Sequence, residues 1–167
     1  MLHWLAFALV VAGFLGVYSA WTAGRLDRMH RRLDAARVSL DQHLRERAEI
    51  ARRTPALQDA ADAALAAANC GSASLERQPA AIALDHGREQ AESQLSKALR
   101  TVTPTAELNE AVTKASFARQ FHNDAVRDAL VVRRRRVVRL FRLAGSARMP
   151  SFFEMDDTVL QRRTIEV

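Results

Sequence analysis

The residues that could bind a metal ion or attack a substrate are few and widely spaced in this chain. Helical metal sites, including the Glu-x-x-His pairs of carboxylate-bridged di-iron bundles, need ligands three or four residues apart. No two of the five histidines have that spacing; they are His3, His30, His43, His86 and His122. The single cysteine, Cys70, excludes an internal disulfide and a zinc site made of several cysteines. We therefore expect no metal ion, no cofactor and no enzymatic activity.

One polar pair, His122-Asn123, directly follows Phe121 in the middle of a predicted helix. The pair could form a buried hydrogen-bond network that fixes the register of the helix, with Arg119 or Gln120 as the partner of Asn123. Alternatively, one or both side chains face water. Buried polar groups are retained where their hydrogen bonds are satisfied. Arg119, His122 and Asn123 are thus candidates for a structural polar role, and catalysis is the less favoured hypothesis.

Positive charge is concentrated in one segment near the end of the chain. The 167 residues carry a formal net charge of +6, and seven of the 23 arginines lie between Arg133 and Arg148, where there is no Asp or Glu. The rest of the chain sums to −1. The arginines of this segment that fall on the last predicted helix are Arg133, Arg134, Arg135, Arg136, Arg139 and Arg142.

This arginine-rich segment has three interpretations. Near an anionic leaflet, each arginine would contribute about 1 kcal/mol to membrane binding. Arginine clusters also neutralise the phosphates of nucleic acids, and cations are favourable at the C-terminal end of a solvated helix. No nucleic-acid-binding motif accompanies the arginines. We favour the lipid surface, with the solvated helix end as the alternative, and expect no nucleic-acid partner.

The first 24 residues are typical of a transmembrane helix. They contain no Asp, Glu, Lys or Arg, and a helix needs about 20 apolar residues to cross a bilayer. Trp4 near one end, with Tyr18 and Trp21 near the other, suits the two membrane interfaces. A cleaved signal peptide would need a basic start and a small residue three positions before the cut, where this chain offers only Tyr18 or Trp21. We predict an uncleaved, single membrane-spanning helix.

The charges beside this segment predict its orientation. No Lys or Arg precedes it, and four arginines follow it at once: Arg25, Arg28, Arg31 and Arg32. Because Lys and Arg close to a membrane end stay in the cytoplasm, we expect the N-terminus outside the cell and residues 25–167 inside. A lone cysteine fits that reducing compartment.

Small residues recur at every fourth position of the predicted span: Ala8, Ala12, Gly16, Ala20 and Gly24. Such a stripe lets two transmembrane helices approach closely, which predicts a homodimer. The alternative is chance, because alanine is the commonest residue of the chain.

Four further stretches have the three- and four-residue periodicity of amphipathic helices, and no stretch has the alternation of a strand. They cover residues 25–54, 55–70, 81–102 and 105–143. Pro55 separates the first two, the run from Gly71 to Ser74 ends the second, and Thr105 is the predicted N-cap of the last.

These stretches predict an all-α protein. Residues 1–24 form the transmembrane anchor, residues 25–149 form a cytoplasmic, antiparallel up-and-down bundle of four helices, and residues 150–167 form a C-terminal tail. A bundle of three helices is the alternative.

Four stretches of the chain resemble LemA-family proteins in sequence, order and spacing. They are Leu26-x2-Met29-x3-Leu33-x2-Ala36-x3-Leu40-x3-Leu44-x2-Arg47, Ala91-Glu92-Ser93-Gln94-Leu95-Ser96-x2-Leu99, Ala118-Arg119-x2-His122-Asn123-x-Ala125-Val126 and Phe152-Phe153-Glu154. The third is similar to the family's Ala-Arg-x-x-Tyr-Asn-x-Ala-Val. The resemblance implies an N-terminal membrane anchor with a cytoplasmic helical bundle, and it brings no defined molecular activity.

The chain also departs from the LemA pattern. His122 stands where the family usually has Tyr, and Arg136-Val137 stand about where it often has Phe-Pro. The connection between the third and fourth predicted helices is shorter by several turns. The resemblance is therefore to a divergent, compact member of the family.

Two classes of function remain open on the sequence. The favoured one is a membrane-anchored, non-catalytic scaffold or adaptor that contacts anionic lipid headgroups and protein partners of unknown identity. The other is a membrane-associated enzyme with an unrecognised active site. A buried cluster of ionisable side chains in a pocket would favour the enzyme, whereas an Ala/Leu core with an exposed apolar stripe or tail would favour the scaffold.

Overall fold

The computed structural model describes residues 2–74, 81–134 and 149–156. Within these ranges all regular structure is helical and no strand occurs. The elements in chain order are α1 (Leu2–Ala51), a short 3-10 helix (Pro55–Leu57), α2 (Gln58–Ser74), α3 (Ala81–Leu99) and α4 (Ala106–Arg133). The helices pack as a bundle, so the all-α prediction is confirmed.

Helix α1 runs for 50 residues without a break. The apolar start of the chain and the first amphipathic stretch therefore belong to one helix, as the absence of Pro and Gly from residues 25–54 predicts. The helix ends before Pro55, because the residue that precedes a proline disfavours the helical region. Thr54 accordingly adopts an extended conformation, with φ −98° and ψ 117°. Pro55 then opens the 3-10 helix, which buries Leu57 completely.

The predicted ends of α2 and α3 are partly wrong. α2 continues through Gly71 and Ser72 to Ser74, because one glycine lowers helix propensity by only about 1 kcal/mol relative to alanine and an alanine-rich helix tolerates it. α3 ends at Leu99 and stops short of the predicted Val102. Ala98 there accepts hydrogen bonds from both the amide and the hydroxyl of Thr101, at 3.0 and 2.8 Å, which close a turn after the helix.

Thr105 is the N-cap of α4, as predicted. Its hydroxyl accepts a hydrogen bond from the amide of Leu108 at 3.2 Å, which satisfies one of the amides that the first turn of a helix leaves without a partner. The predicted continuation of this helix to Leu143 lies outside the described residues.

The chain divides into two compact units. Unit 1 comprises Met1–Ala35 and Asp124–Ser151, and unit 2 comprises Ala36–Asn123 and Phe152–Val167. In unit 1 the buried side chains of the fourth helix are small and aliphatic: Ala125, Val126, Ala129 and Val132.

The first helix carries many exposed apolar side chains in unit 1. The most exposed include Trp4 at 78%, Phe14 at 76% and Val17 at 73%. Among the residues that the structure describes, no helix combines the length and the apolar character that crossing a membrane requires.

The core of unit 2 consists of two clusters. The alanine cluster joins all four helices and the 3-10 helix through Ala48, Ala51, Leu57, Ala61, Ala64, Leu95, Leu99, Leu108 and Val112. The Phe153 cluster contains Leu40, Leu44, Ala115, Ala118 and Phe153. Alanine forms close, shallow contacts, so each helix approaches its neighbours tightly and a large side chain at such a position would not fit.

Helices α1 and α4 run in opposite directions within unit 2. Residues 48–51 of α1 share the alanine cluster with residues 108–112 of α4. Residues 40–44 share the Phe153 cluster with residues 115–118. Residue numbers therefore fall along one helix as they rise along the other.

Candidate functional site

A buried ion pair joins α1 and α3 in unit 2. Arg47 and Glu92 are each 1% exposed, and Nη2 of Arg47 lies 2.5 Å from Oε2 of Glu92. The same nitrogen donates to the Glu92 carbonyl at 3.3 Å, and Nη1 donates to the hydroxyl of Ser96 at 3.1 Å. Charge-assisted hydrogen bonds of this kind are the strong ones, and they offset part of the cost of removing both charges from water.

The helical repeat explains why these polar residues reach the core. Arg47 lies three residues after Leu44 and continues the buried face of α1. Glu92 and Ser96 are four residues apart and lie on the same face of α3 as Leu95 and Leu99, which are also buried. The ion pair therefore occupies positions that would otherwise hold apolar side chains.

A second carboxylate extends this network toward the surface. One oxygen of Asp41 accepts a hydrogen bond from Nη1 of Arg88, and the other accepts one from Nε of Arg45 at 2.9 Å. Nε of Arg88 also lies 3.9 Å from Oε1 of Glu92. Burial alone would raise the pKa of Asp41, but the hydrogen bonds and charges of Arg88 and Arg45 outweigh it and hold that pKa below its ordinary value of 3.8.

We call Asp41, Arg45, Arg47, Arg88, Glu92 and Ser96 the buried charge network. Its three arginines outnumber its two carboxylates, and Nε of Arg47 with Nε and Nη2 of Arg88 find no hydrogen-bond acceptor among the described residues. Guanidinium groups bind both carboxylates, and they hold the pKa of Asp41 below its ordinary value. This arrangement is suited to fixing the helices relative to each other.

A second polar contact ties α4 to a non-helical segment that follows it in the chain. Nδ2 of Asn123 donates to the carbonyl of Phe153 at 3.1 Å, and Oδ1 accepts from the amide of the same residue at 2.9 Å. Sequence reasoning proposed Arg119 or Gln120 as the partner of Asn123. The structure instead gives it a partner 30 residues away, because the backbone of this segment offers a donor and an acceptor that match one amide.

Residues 152–156, which we call the docked segment, make four further contacts with the rest of unit 2. The ring of Phe153 is buried in the Phe153 cluster, and Met155 packs against that cluster. Oε1 of Glu89 accepts a hydrogen bond from the amide of Glu154 at 3.0 Å. Arg100 forms an ion pair with Asp156. The aromatic-acidic tail predicted as a separate region therefore begins with a segment that contributes to the core.

The other two candidate polar residues lie on α4 next to Asn123. His122 is buried and Arg119 is half-buried. Asn123 is half-buried as well, and the structural polar role of these three residues stays a prediction.

The predicted membrane-surface arginines that the structure describes all belong to unit 1. The guanidinium of Arg25 lies 5.9 Å from the centre of the Trp21 ring, and Arg31 pairs with Asp27 at 2.5 Å. Arg28, Arg32 and Arg134 are exposed, and Nη1 of Arg133 lies 3.7 Å from the sulfur of Met149. The remaining four, Arg135, Arg136, Arg139 and Arg142, lie outside the described residues.

The small-residue stripe lies on α1. Ala12, Gly16 and Ala20 are exposed and Gly24 is half-buried, whereas the side chain of Ala8 lies outside the description. An added methyl group at Gly16 would meet no atom within 4 Å, so this surface is open to a close neighbour.

Sequence reasoning missed most of the buried charge network. Arg47, Glu92 and Ser96 stand out in the sequence only as parts of stretches that resemble LemA proteins, and Asp41, Arg45 and Arg88 carry no prediction. The sequence signal that could have revealed the network is the position of these residues on the apolar faces of two helices. Arg47 continues a stripe of buried leucines, and Glu92 and Ser96 flank Leu95 on another, so opposite charges at core positions of two helices predict a buried pair.

No group of three or more His, Cys, Asp or Glu side chains within the described ranges could hold a metal ion. Comparison of the chain with models of protein families, with curated proteins and with solved structures finds no match.

Proposed function

We propose that this protein is a membrane-anchored, non-catalytic scaffold or adaptor, a divergent relative of the LemA family whose helical bundle lies at the cytoplasmic face. The proposal depends mainly on one observation: residues from the stretches that resemble LemA proteins contact each other in the folded chain. Arg47 binds Glu92 and Ser96, and Asn123 binds Phe153. All four stretches that resemble LemA proteins thus contribute residues to two contacts that build the fold.

The composition of the core supports a binding role over a catalytic one. The buried carboxylate of Glu92 and the half-buried carboxylate of Asp41 are both bound by arginine. An acid or base that acts in catalysis needs a pKa near the working pH, whereas the pKa of Asp41 lies below its ordinary value of 3.8. The residues of the buried charge network hold helices α1 and α3 in register.

The first 24 residues support the membrane anchor in this proposal. They contain no charged side chain, and apolar side chains along the start of α1 are exposed to the surroundings. Exposed apolar surface of this extent is unfavourable in water and marks a site of protein or membrane contact. The arginines that follow, Arg25 to Arg32, favour the cytoplasmic side for the rest of the chain.

The stripe of Ala12, Gly16 and Ala20 supports a homodimer within the membrane. These side chains are exposed, and small residues allow the backbones of two helices to come close enough for extensive van der Waals contact.

Alkaline carbonate extraction of membranes tests the anchor. The full chain should stay in the membrane pellet, whereas Val10→Arg with Phe14→Arg should move it to the supernatant, since each charge near the middle of a span costs about 2.5 kcal/mol or more. Val38→Arg with Phe117→Arg is the matched control, because both residues are exposed and apolar but lie in unit 2. Extraction of the unaltered chain, or equal behaviour of both variants, would contradict the anchor.

A further inference from the structure

The docked segment packs on the rest of unit 2 much as a bound peptide would. Its residues 152–156 have no helical structure. Its backbone is held by side chains, with both polar groups of Phe153 bound to Asn123 and the amide of Glu154 bound to Glu89. Among the described residues, no backbone amide or carbonyl of this segment forms a hydrogen bond with another backbone group.

This mode of contact separates affinity from specificity. Asn123 and Glu89 bind atoms that every extended peptide presents, so they would accept many sequences. Two other features determine which peptide side chains are preferred. The Phe153 ring needs the apolar floor formed by Leu40, Leu44 and the alanines of α4, and Arg100 attracts a carboxylate three residues further along.

An open, shallow surface depression of about 510 Å³ lies beside the docked segment and is lined by His86, Glu89, Gln90, Ser93, Glu154 and Met155. The four lining residues from α3 fall on one face of that helix, at three- and four-residue steps. A bound peptide could therefore place longer or additional side chains along α3 than the chain's own segment does.

Among the side chains of the docked segment only Phe153 is buried, and Phe152 is 40% exposed. The ion pair between Arg100 and Asp156 is partly open to solvent, with side chains 41% and 27% exposed. Water therefore weakens that pair, and a peptide that offers the same groups can compete for the same contacts.

We propose that the surface under the docked segment is a peptide-binding site for partner proteins that carry an extended Phe-acidic-x-acidic segment, and that residues 153–156 occupy it as an internal competitor. This inference rests on the proposed scaffold function, because a scaffold requires a partner protein to bind. Peptide binding in detergent solution and membrane extraction are separate measurements, so failure of one is distinguishable from failure of the other.

Fluorescence anisotropy with a labelled peptide tests the proposal on the full chain in mild detergent. The peptide is Ser-Phe-Phe-Glu-Met-Asp-Asp, the sequence of residues 151–157. Phe153→Ala in the protein weakens the internal competitor, so this variant should bind the peptide about tenfold more tightly than the unaltered chain. Adding Asn123→Ala should reverse that gain, whereas Gln120→Ala, an exposed site on the same helix, should not.

A charge exchange keeps the test valid if Phe153→Ala does not fold. Arg100→Glu should favour a peptide with Lys in place of the residue equivalent to Asp156, and the unaltered chain should favour the native peptide, by about tenfold in each case. No binding to any chain, or equal affinity for both peptides, would overturn the proposal. Self-association of the full chain that the peptide abolishes would assign this surface to a second copy and overturn the proposal as well.

Discussion

Arg47 brings a guanidinium group into a core in which alanine and leucine predominate. Removing a charge from water costs several kcal/mol even after the protein relaxes. Glu92 and Ser96 return part of that cost through bonds of 2.5 and 3.1 Å. The pair makes a mismatch between α1 and α3 unfavourable, because any other register would leave a buried charge without its partner.

Replacing one partner of this ion pair should therefore lower the stability more than replacing both partners. Arg47→Met leaves Glu92 buried and unpaired, and we expect the free energy of unfolding to fall by about 3–5 kcal/mol. Arg47→Met with Glu92→Leu replaces both charges by apolar groups and should restore stability to that of the unaltered chain or above it. Urea denaturation of each variant, followed by circular dichroism, measures the difference. A double variant as unstable as the single one would contradict a simple ion-pair role.

Asp41 should make the free energy of unfolding depend on pH in the acidic range. The pKa of its carboxyl in the folded protein lies below 3.8, so the unfolded chain binds a proton first as the pH falls. Its contribution is present above the ordinary pKa and is lost as the pH drops through the folded value. Asp41→Asn should be less stable than the unaltered chain at pH 7, and this gap should narrow when the pH is lowered from 5 to about 3. A gap that stays constant over that range, in urea titrations, would show that Arg88 and Arg45 do not hold the carboxylate ionised.

At the scale of elements, the start of α4 depends on one hydroxyl. Thr105 caps the first turn, and removal of such a cap lowers the free energy of unfolding by about 1 kcal/mol. Thr105→Ala should show that loss in thermal or urea denaturation. Thr103→Ala is the matched control, because Thr103 is exposed and lies outside both neighbouring helices. Equal effects of the two substitutions would mean that the cap does not stabilise α4.

Local sequence signals predicted the helices well because each depends on neighbours in the chain. The end of α1 follows from the steric effect of Pro55 on Thr54, and the start of α4 follows from the cap at Thr105. The stop predicted at Gly71 failed, because propensity only weights a helix end and the surrounding alanines outweighed one glycine.

The contacts that define the candidate site depend on residues far apart in the chain. Arg47 meets Glu92 across 45 residues, and Asn123 meets Phe153 across 30. Periodicity shows that each residue lies on a buried face, but the partner is set by the packing of α1 against α3 and of the docked segment against α4. The aromatic-acidic tail could be recognised as unusual, whereas its docking could not be inferred from its composition.

The net charge of +6 separates into a nearly neutral body and one arginine-rich segment. If that segment lies at the anionic leaflet, reversal of its charge should weaken membrane binding. Arg133→Glu with Arg134→Glu removes two attractions of about 1 kcal/mol each and adds repulsion, which predicts at least about a 30-fold loss of affinity for vesicles that contain anionic lipid.

The matched control for this reversal is Arg52→Glu with Arg53→Glu, which changes the net charge equally but lies in unit 2. Cosedimentation of the chain without residues 1–24 with anionic and with neutral vesicles measures the effect free of the anchor, after circular dichroism has established that this shorter chain is helical. Equal losses for the two pairs would show that net charge alone, and not the position of the arginines, governs binding.

The central claim is that a membrane anchor holds this helical bundle at the cytoplasmic face, and the single cysteine allows one measurement of it. Cys70 is exposed in unit 2 and has no disulfide partner, so a membrane-impermeant maleimide can report which side of a sealed vesicle it faces. We expect labelling of Cys70 in inside-out vesicles and protection in right-side-out vesicles until detergent is added. Labelling in sealed right-side-out vesicles, or absence of the chain from washed vesicles of either kind, would contradict the account.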